Sequence, residues 1–207
     1  VRVELCEEAM RLAALLREHP ATRTAATSAL SALMALHAAR LPARLDEAGD
    51  LVSLWDQDRS VWSRELIEEG RRLLDESAQG EDVTAYHLEA AIAAVHADAP
   101  SLDHTDWGAI VALYDRLIHV APSAVVELNR AIAIAQRDGP HAGIAAIGAI
   151  RDLERLAAYP FLPAALAELE RRCGNHTAAT AHLERALALT RSDTERRFLE
   201  RRLREGR

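Results

Sequence analysis

Five residues close together in the chain have side chains that often act in recognition. Asp56, Gln57, Asp58 and Arg59 are consecutive, and Trp62 follows three positions after the arginine. Arginine and tryptophan are enriched at binding hot spots, and paired carboxylates accept strong, charge-assisted hydrogen bonds. The sequence therefore predicts an interaction patch made of these five residues.

The same residues also fit a purely structural interpretation, the start of a capped helix. Asp56 or Asp58 would accept hydrogen bonds from the free N–H groups of the first turn, and Arg59 would pair locally. Trp62 would then pack inward. On spacing alone this structural interpretation is the stronger of the two, and both stay open.

Motifs for catalysis, cofactors and metals are absent from the sequence. It has no glycine-rich phosphate loop, no G-x-S-x-G elbow and no cysteine in a nucleophile context. None of the nine histidines forms the i, i+4 pair with a glutamate that marks a helical zinc site. Cys6 and Cys173 lie far apart, which is typical of a reducing compartment. We expect no enzyme activity, no cofactor and no metal.

The composition limits the possible partners. The formal net charge of −7 argues against direct nucleic-acid binding, because neutralising phosphates needs a basic surface. No apolar run approaches the ~20 residues that span a bilayer, and the N-terminus has no signal-peptide pattern. The sequence therefore predicts a cytoplasmic protein without a membrane partner.

A helical repeat is the clearest pattern in residues 103–190. Residues 105–122 place apolar side chains at i, i+3, i+4 and i+7, the spacing of one helix face. The turn positions Thr105, Gly139 and Gly174 are separated by 34 and 35 residues. Tetratricopeptide (TPR) repeats have a period of ~34 residues. We therefore expect an all-α fold, an α-solenoid of TPR-like helical hairpins.

The remaining elements complete a single TPR-like domain over 1–207. Residues 1–100 predict degenerate hairpins around an irregular insertion at about 40–58, and a polar helix at 193–205 is expected to cap the array. The other predicted helices cover 2–17, 22–39, 60–78, 82–98, 123–137 and roughly 154–172.

Several segments together resemble a known bacterial family. They are LCEEAMRLAALL at 5–16, LVSLWDQDRSVWSRELIEEG at 51–70, AYHLEAAIAAVHADAP at 85–100, TDWGAIVALYDRL at 105–117, PSAVVELNRAIAIAQRDGPHAG at 122–143 and ERRFLERRL at 195–203. They resemble the TPR-like C-terminal extension of one subgroup of extracytoplasmic-function (ECF) sigma factors. The D-Q-D-R run at 56–59 is shared with that family.

The resemblance implies a regulatory domain that modulates transcription initiation. Its partners would be its own sigma domains, expected upstream of residue 1, or core RNA polymerase, and this part of the protein would not bind DNA itself. Two alternatives remain at this point. One is a freestanding TPR adaptor that binds a peptide or helix of a partner, and the other is a small-molecule sensor with a pocket near 40–62.

Overall fold

The computed structural model describes residues 3–80 and 82–205, and this part of the chain is all-helical, as the sequence predicts. No β-strand occurs in it, and none of its helices has the length and apolar character needed to cross a lipid bilayer. Short 3₁₀ turns connect several of the α-helices. The ten α-helices within the described residues are α1 (Val3–Glu18), α2 (Ala25–Ala38), α3 (Arg64–Ser77), α4 (Ala85–Asp98), α5 (Trp107–Val120), α6 (Ala124–Asp138), α7 (Pro140–Gly148), α8 (Phe161–Arg172), α9 (His176–Leu189) and α10 (Asp193–Glu205).

The chain divides into two compact units. Unit 1 contains residues up to 48 together with 52–121, and unit 2 contains residues 49–51 together with the chain from 122 onward. Each unit has its own buried apolar cluster. The repeat pattern of the sequence predicts a single domain, and that organisation stays a prediction.

Helix α2 is the centre of unit 1, where it packs against α1, α3 and α4. Its alanines make this possible: Ala29, Ala32 and Ala35 are almost completely buried. Small side chains let neighbouring helix backbones approach closely. On α3, a Cβ added at Gly70 would lie 2.6 Å from Leu36 Cγ, so glycine is required at this crossing.

Unit 2 contains two helix pairs, α6 with α7 and α8 with α9. A left-handed glycine stands between the helices of each pair, Gly139 at φ 97° and Gly174 at φ 81°. Such values are readily adopted only by glycine, because other side chains clash there. Both glycines occupy the turns that the repeat spacing predicts.

One predicted helix is interrupted in the structure. The sequence predicts one helix over roughly 154–172, but the structure has a 3₁₀ turn at Leu153–Leu156 and then a break before α8 begins at Phe161. Pro160 explains the break, because a proline disfavours the helical conformation of the residue before it. The preceding helix, α7, is also short, with nine residues.

The last helix, α10, is held to the segment 49–51 within unit 2. Arg197 forms an ion pair with Asp50, and Arg201 Nη2 donates a hydrogen bond to the Leu51 carbonyl at 2.8 Å. Leu199 is the buried apolar residue of α10.

The crossing of α6 and α7 gives a test of packing in unit 2. A Cβ at Gly143 would lie 2.3 Å from Ala135 Cβ and 3.1 Å from its Cα, so Gly143→Ala must push two backbones apart. We expect it to lower the free energy of unfolding by about 1–3 kcal/mol, measured by urea unfolding.

The matched control for that variant is Gly148→Ala in the same helix. A Cβ there meets nothing within 4 Å, and alanine favours helix by up to ~1 kcal/mol over glycine. Equal stability of the two variants would contradict the close packing at Gly143.

Candidate interaction site

The carboxylates of Asp56 and Asp58 are exposed on an irregular segment of unit 1, residues 56–62. Ser53 Oγ donates to Asp56 Oδ2 at 2.6 Å, and the Asp56 N–H donates to the Ser53 carbonyl at 3.0 Å. Asp58 caps a 3₁₀ turn at Arg59–Val61, where its Oδ1 accepts from the Ser60 N–H at 2.8 Å. Hydrogen bonds from Ser60 lower the pKa of Asp58. Both side chains are therefore exposed acceptors in fixed positions.

Gln57 points inward between these two carboxylates. It is only 9% exposed. Its Nε2 donates to the Val52 carbonyl at 3.2 Å, and its Oε1 accepts from Arg40 Nε at 3.3 Å. The amide thus ties the segment both to the preceding loop and to the residue that follows the C-cap of α2.

Arg59 joins the segment to the end of α4 and to the connection between α4 and α5. Its Nη1 donates to the carbonyls of His96 at 2.8 Å and Ala99 at 3.0 Å. Its Nη2 donates to Oγ1 of the buried Thr105 at 3.2 Å. A charged donor to three acceptors that are far away in sequence is a strong structural link. Arg59 therefore braces the segment, whereas the capped-helix interpretation of the sequence predicts local pairing.

Trp62 is buried, with 4% of its surface exposed, and contacts two guanidinium groups. The Cζ atoms of Arg40 and Arg59 each lie 5.3 Å from the centroid of its ring. Cations at this distance are attracted by the ring quadrupole. Next to it, the Ser63 N–H donates to the Ala39 carbonyl at 2.9 Å, which joins the segment to the end of α2.

The other two tryptophans of the chain, Trp55 and Trp107, are connected through His96 to the group formed by Arg40, Arg59 and Trp62. The Trp107 ring contacts His96 edge-on at a centroid distance of 5.3 Å and lies 6.1 Å from the Trp55 ring. His96 in turn accepts, through its carbonyl, the Arg59 hydrogen bond described above. All three tryptophans therefore belong to one connected set of contacts in unit 1.

His96 is neutral in this environment. Burial, followed by the nearby cations Arg40, Arg59 and His37, lowers its pKa to about 4. A protonated imidazole would add another positive charge to a shielded group of arginines, which is unfavourable.

The structure thus separates the five predicted residues into two groups. Asp56 and Asp58 are exposed, while Gln57, Arg59 and Trp62 are partly or fully shielded and hold the segment in place. Sequence reasoning missed Arg40, His96 and Thr105. Nothing in their local sequence marks them, because tertiary contacts alone bring them to the segment.

A separate cleft of about 610 Å³ lies elsewhere in unit 1, with side chains of both charges around it. Two of the lining residues, Arg17 and Glu76, form an ion pair, with Nη2 3.3 Å from Oε2. The cleft is lined by Ala14, Arg17, Glu18, Arg23, Ser28 and Glu76.

Within residues 3–80 and 82–205, no group of three or more His, Cys, Asp or Glu side chains could hold a metal ion.

Comparison with known proteins finds one family model and one curated relative. Residues 1–78 match the model of a family of unknown function, DUF6596. An uncharacterized protein of Rhizobium meliloti (strain 1021) is 38% identical over 200 residues, which cover 96% of this chain and 46% of that protein. The chain thus spans about half the length of this curated relative. No solved structure matches.

The brace at Arg59 can be tested by substitution. Arg59→Met removes the donors to two carbonyls and one hydroxyl while keeping an apolar stem beside Trp62. We expect a loss of about 2–3 kcal/mol in the free energy of unfolding, measured by urea unfolding. The control is Arg116→Met on an exposed site of α5, with an expected change within about 0.5 kcal/mol. Equal losses would show that Arg59 is not a brace.

The lowered pKa of His96 predicts a dependence of stability on pH. An unfolded histidine takes up a proton near pH ~6.5, whereas folded His96 stays neutral down to about pH 4. The unfolded state therefore binds more protons in this interval, and stability falls as the pH decreases through it. His96→Phe keeps a ring against Trp107 and removes the titration.

We expect the stability of His96→Phe relative to the native sequence to increase as the pH falls from about 6.5 to about 4. Urea unfolding at several pH values measures this difference. Parallel stability curves for the two proteins would show that His96 is not held neutral by its surroundings.

Proposed function

We propose that this chain is a cytoplasmic regulatory domain of an ECF sigma factor that modulates transcription initiation through protein contacts. The observation that supports a contact surface is the exposed pair Asp56 and Asp58. Both residues lie on a segment that buried side chains hold in place. The sigma-factor assignment depends on the resemblance of the quoted segments. The partners are the sigma domains of the same polypeptide or core RNA polymerase.

Preorganisation is the physical argument for the contact surface. A binding loop that is already ordered loses little conformational entropy on association, so more of its interaction energy appears as affinity. Gln57 and Arg59 supply that order through hydrogen bonds to Val52, His96 and Ala99. The two carboxylates remain at the surface, where arginine or lysine side chains of a partner can donate to them.

A TPR-like architecture is part of the proposal. The pairs α6–α7 and α8–α9 each turn at a left-handed glycine, and Gly139 and Gly174 are 35 residues apart. Helix α10 carries six charged residues between Glu195 and Arg202 and buries Leu199, a pattern that suits the end of a helical array. Such arrays present surfaces for other proteins rather than catalytic centres.

The length of the Rhizobium meliloti relative fits a regulatory extension. The aligned region makes up 46% of that protein, so more than half of it lies outside the match. A domain of the present kind attached to a further region is the organisation that the proposal requires.

Run-off transcription with the full-length polypeptide that carries this chain tests the proposal. The informative variant is Asp56→Asn/Asp58→Asn, because asparagine keeps the acceptor oxygens and the capping role while removing both charges. We expect this variant to fold normally and to change transcript yield at least about threefold in the same direction as deletion of residues 1–207, since each charge-assisted contact contributes ~1 kcal/mol or more.

The matched control is Glu68→Gln/Asp75→Asn, which removes two exposed charges from α3 in the same unit. It should leave transcription unchanged. If deletion of the domain has no effect on transcription by core polymerase, the regulatory proposal fails and an adaptor with another partner takes its place. If deletion acts but the double variant does not, the contact surface lies elsewhere on the domain.

A further inference from the structure

Arg40 and Arg59 form a shielded cationic pair that has no carboxylate partner. Among residues 3–80 and 82–205, no aspartate or glutamate oxygen comes within 4.0 Å of either guanidinium, although many other arginines there have such a partner. Arg17 and Arg72, for example, both pair with glutamates. Two unneutralised cations beside one buried ring are therefore unusual within this chain.

The two arginines differ in how well their donors are used. Arg59 has three acceptors, as described above, whereas Arg40 has one neutral acceptor, Gln57 Oε1, at 3.3 Å. A guanidinium carries five N–H donors, so most of those on Arg40 remain available. Burial, then Arg44 and Arg59, lowers the pKa of Arg40 to about 10. The free protein thus keeps this charge in an unfavourable position.

Trp62 adds a second, independent observation at the same place. Its indole Nε1–H is buried and has no hydrogen-bond acceptor. The residue is only 4% exposed, and its ring contacts both guanidiniums. Buried donors are nearly always satisfied in folded proteins. Arg40 itself is partly exposed. The cluster has an excess of donors and positive charge, and what it lacks is a negatively charged acceptor.

We propose that Arg40, together with Trp62 and Arg59, forms a binding site for an oxyanion, either a carboxylate or a phosphate group. The planar guanidinium of Arg40 can donate two parallel hydrogen bonds to such a group. The bound charge would neutralise the arginine pair. The site is distinct from the Asp56 and Asp58 surface and does not depend on the sigma-factor proposal.

Nuclear magnetic resonance titration of the isotope-labelled chain tests the site directly. Sodium phosphate and sodium acetate, each at constant ionic strength against sodium chloride, are the probes. The signals to follow are the Arg40 Nε–H and the Trp62 indole N–H, the latter assigned with Trp55→Phe and Trp107→Phe. We expect saturable shifts of both signals, and about tenfold weaker binding in Arg40→Met.

The control Arg72→Met also removes one positive charge from unit 1, but on the exposed face of α3. It should bind the probes as the native chain does. If the signal shifts saturate with phosphate but not with acetate, the site binds phosphate groups. If they saturate with acetate as well, the site also binds carboxylates. If neither anion saturates, or if Arg72→Met weakens binding as much as Arg40→Met, the proposal is wrong.

A stability measurement separates this role from a structural one. Without added oxyanion, Arg40→Met removes an unneutralised charge, which is stabilising, and also the donor to Gln57 Oε1, which is destabilising. Because these two effects oppose each other, we expect little change in melting temperature. Arg40→Gln, which keeps polar donors, is a second variant in case methionine perturbs the fold. A marked fall in melting temperature for both variants, with no change in anion binding, would show that Arg40 is structural.

Discussion

Close approach of helix backbones, made possible by alanine and glycine, is the constraint on which both units depend. In unit 1 the fully buried alanines of α2 leave room for three neighbouring helices, and Gly70 touches Leu36 where a methyl group would not fit. In unit 2, Gly143 lies against Ala135 in the same way. With aromatic residues at 4%, the chain has few large side chains to fill wider gaps, so short interaxial distances bury its apolar surface.

The tryptophan and arginine cluster of unit 1 is the exception to this small-residue packing. There the contacts are long side chains that reach backbone carbonyls at the end of a helix, above all Arg59 to His96 in the last turn of α4 and to Ala99 just after it. Carbonyls in the last turn of a helix have no helical partners, and an arginine fork can satisfy several at once. The result is an irregular segment fixed by side-chain hydrogen bonds, with two shielded positive charges in a chain whose net charge is −7.

Sequence patterns were sufficient for the helices and for the turn glycines because both depend on local chemistry. The capping residue Asp106 and the left-handed Gly139 and Gly174 act on their immediate neighbours. The break before Phe161 was readable from Pro160, which the predicted helix over roughly 154–172 did not take into account. Within 56–62, the cap at Asp58 and the inward position of Trp62 agree with the capped-helix interpretation. The role of Arg59 was not readable, since whether its side chain faces solvent or the carbonyl of Ala99 depends on how α4 and α5 pack.

The grouping of all three tryptophans in unit 1 has a spectroscopic consequence. Intrinsic tryptophan emission reports only on that unit, whereas far-ultraviolet circular dichroism reports on the helices of both. Comparing the two signals during denaturation therefore measures the cooperativity between the units without any added label. Coincident transitions would mean that the chain unfolds in a single step, and separated ones would give each unit its own free energy.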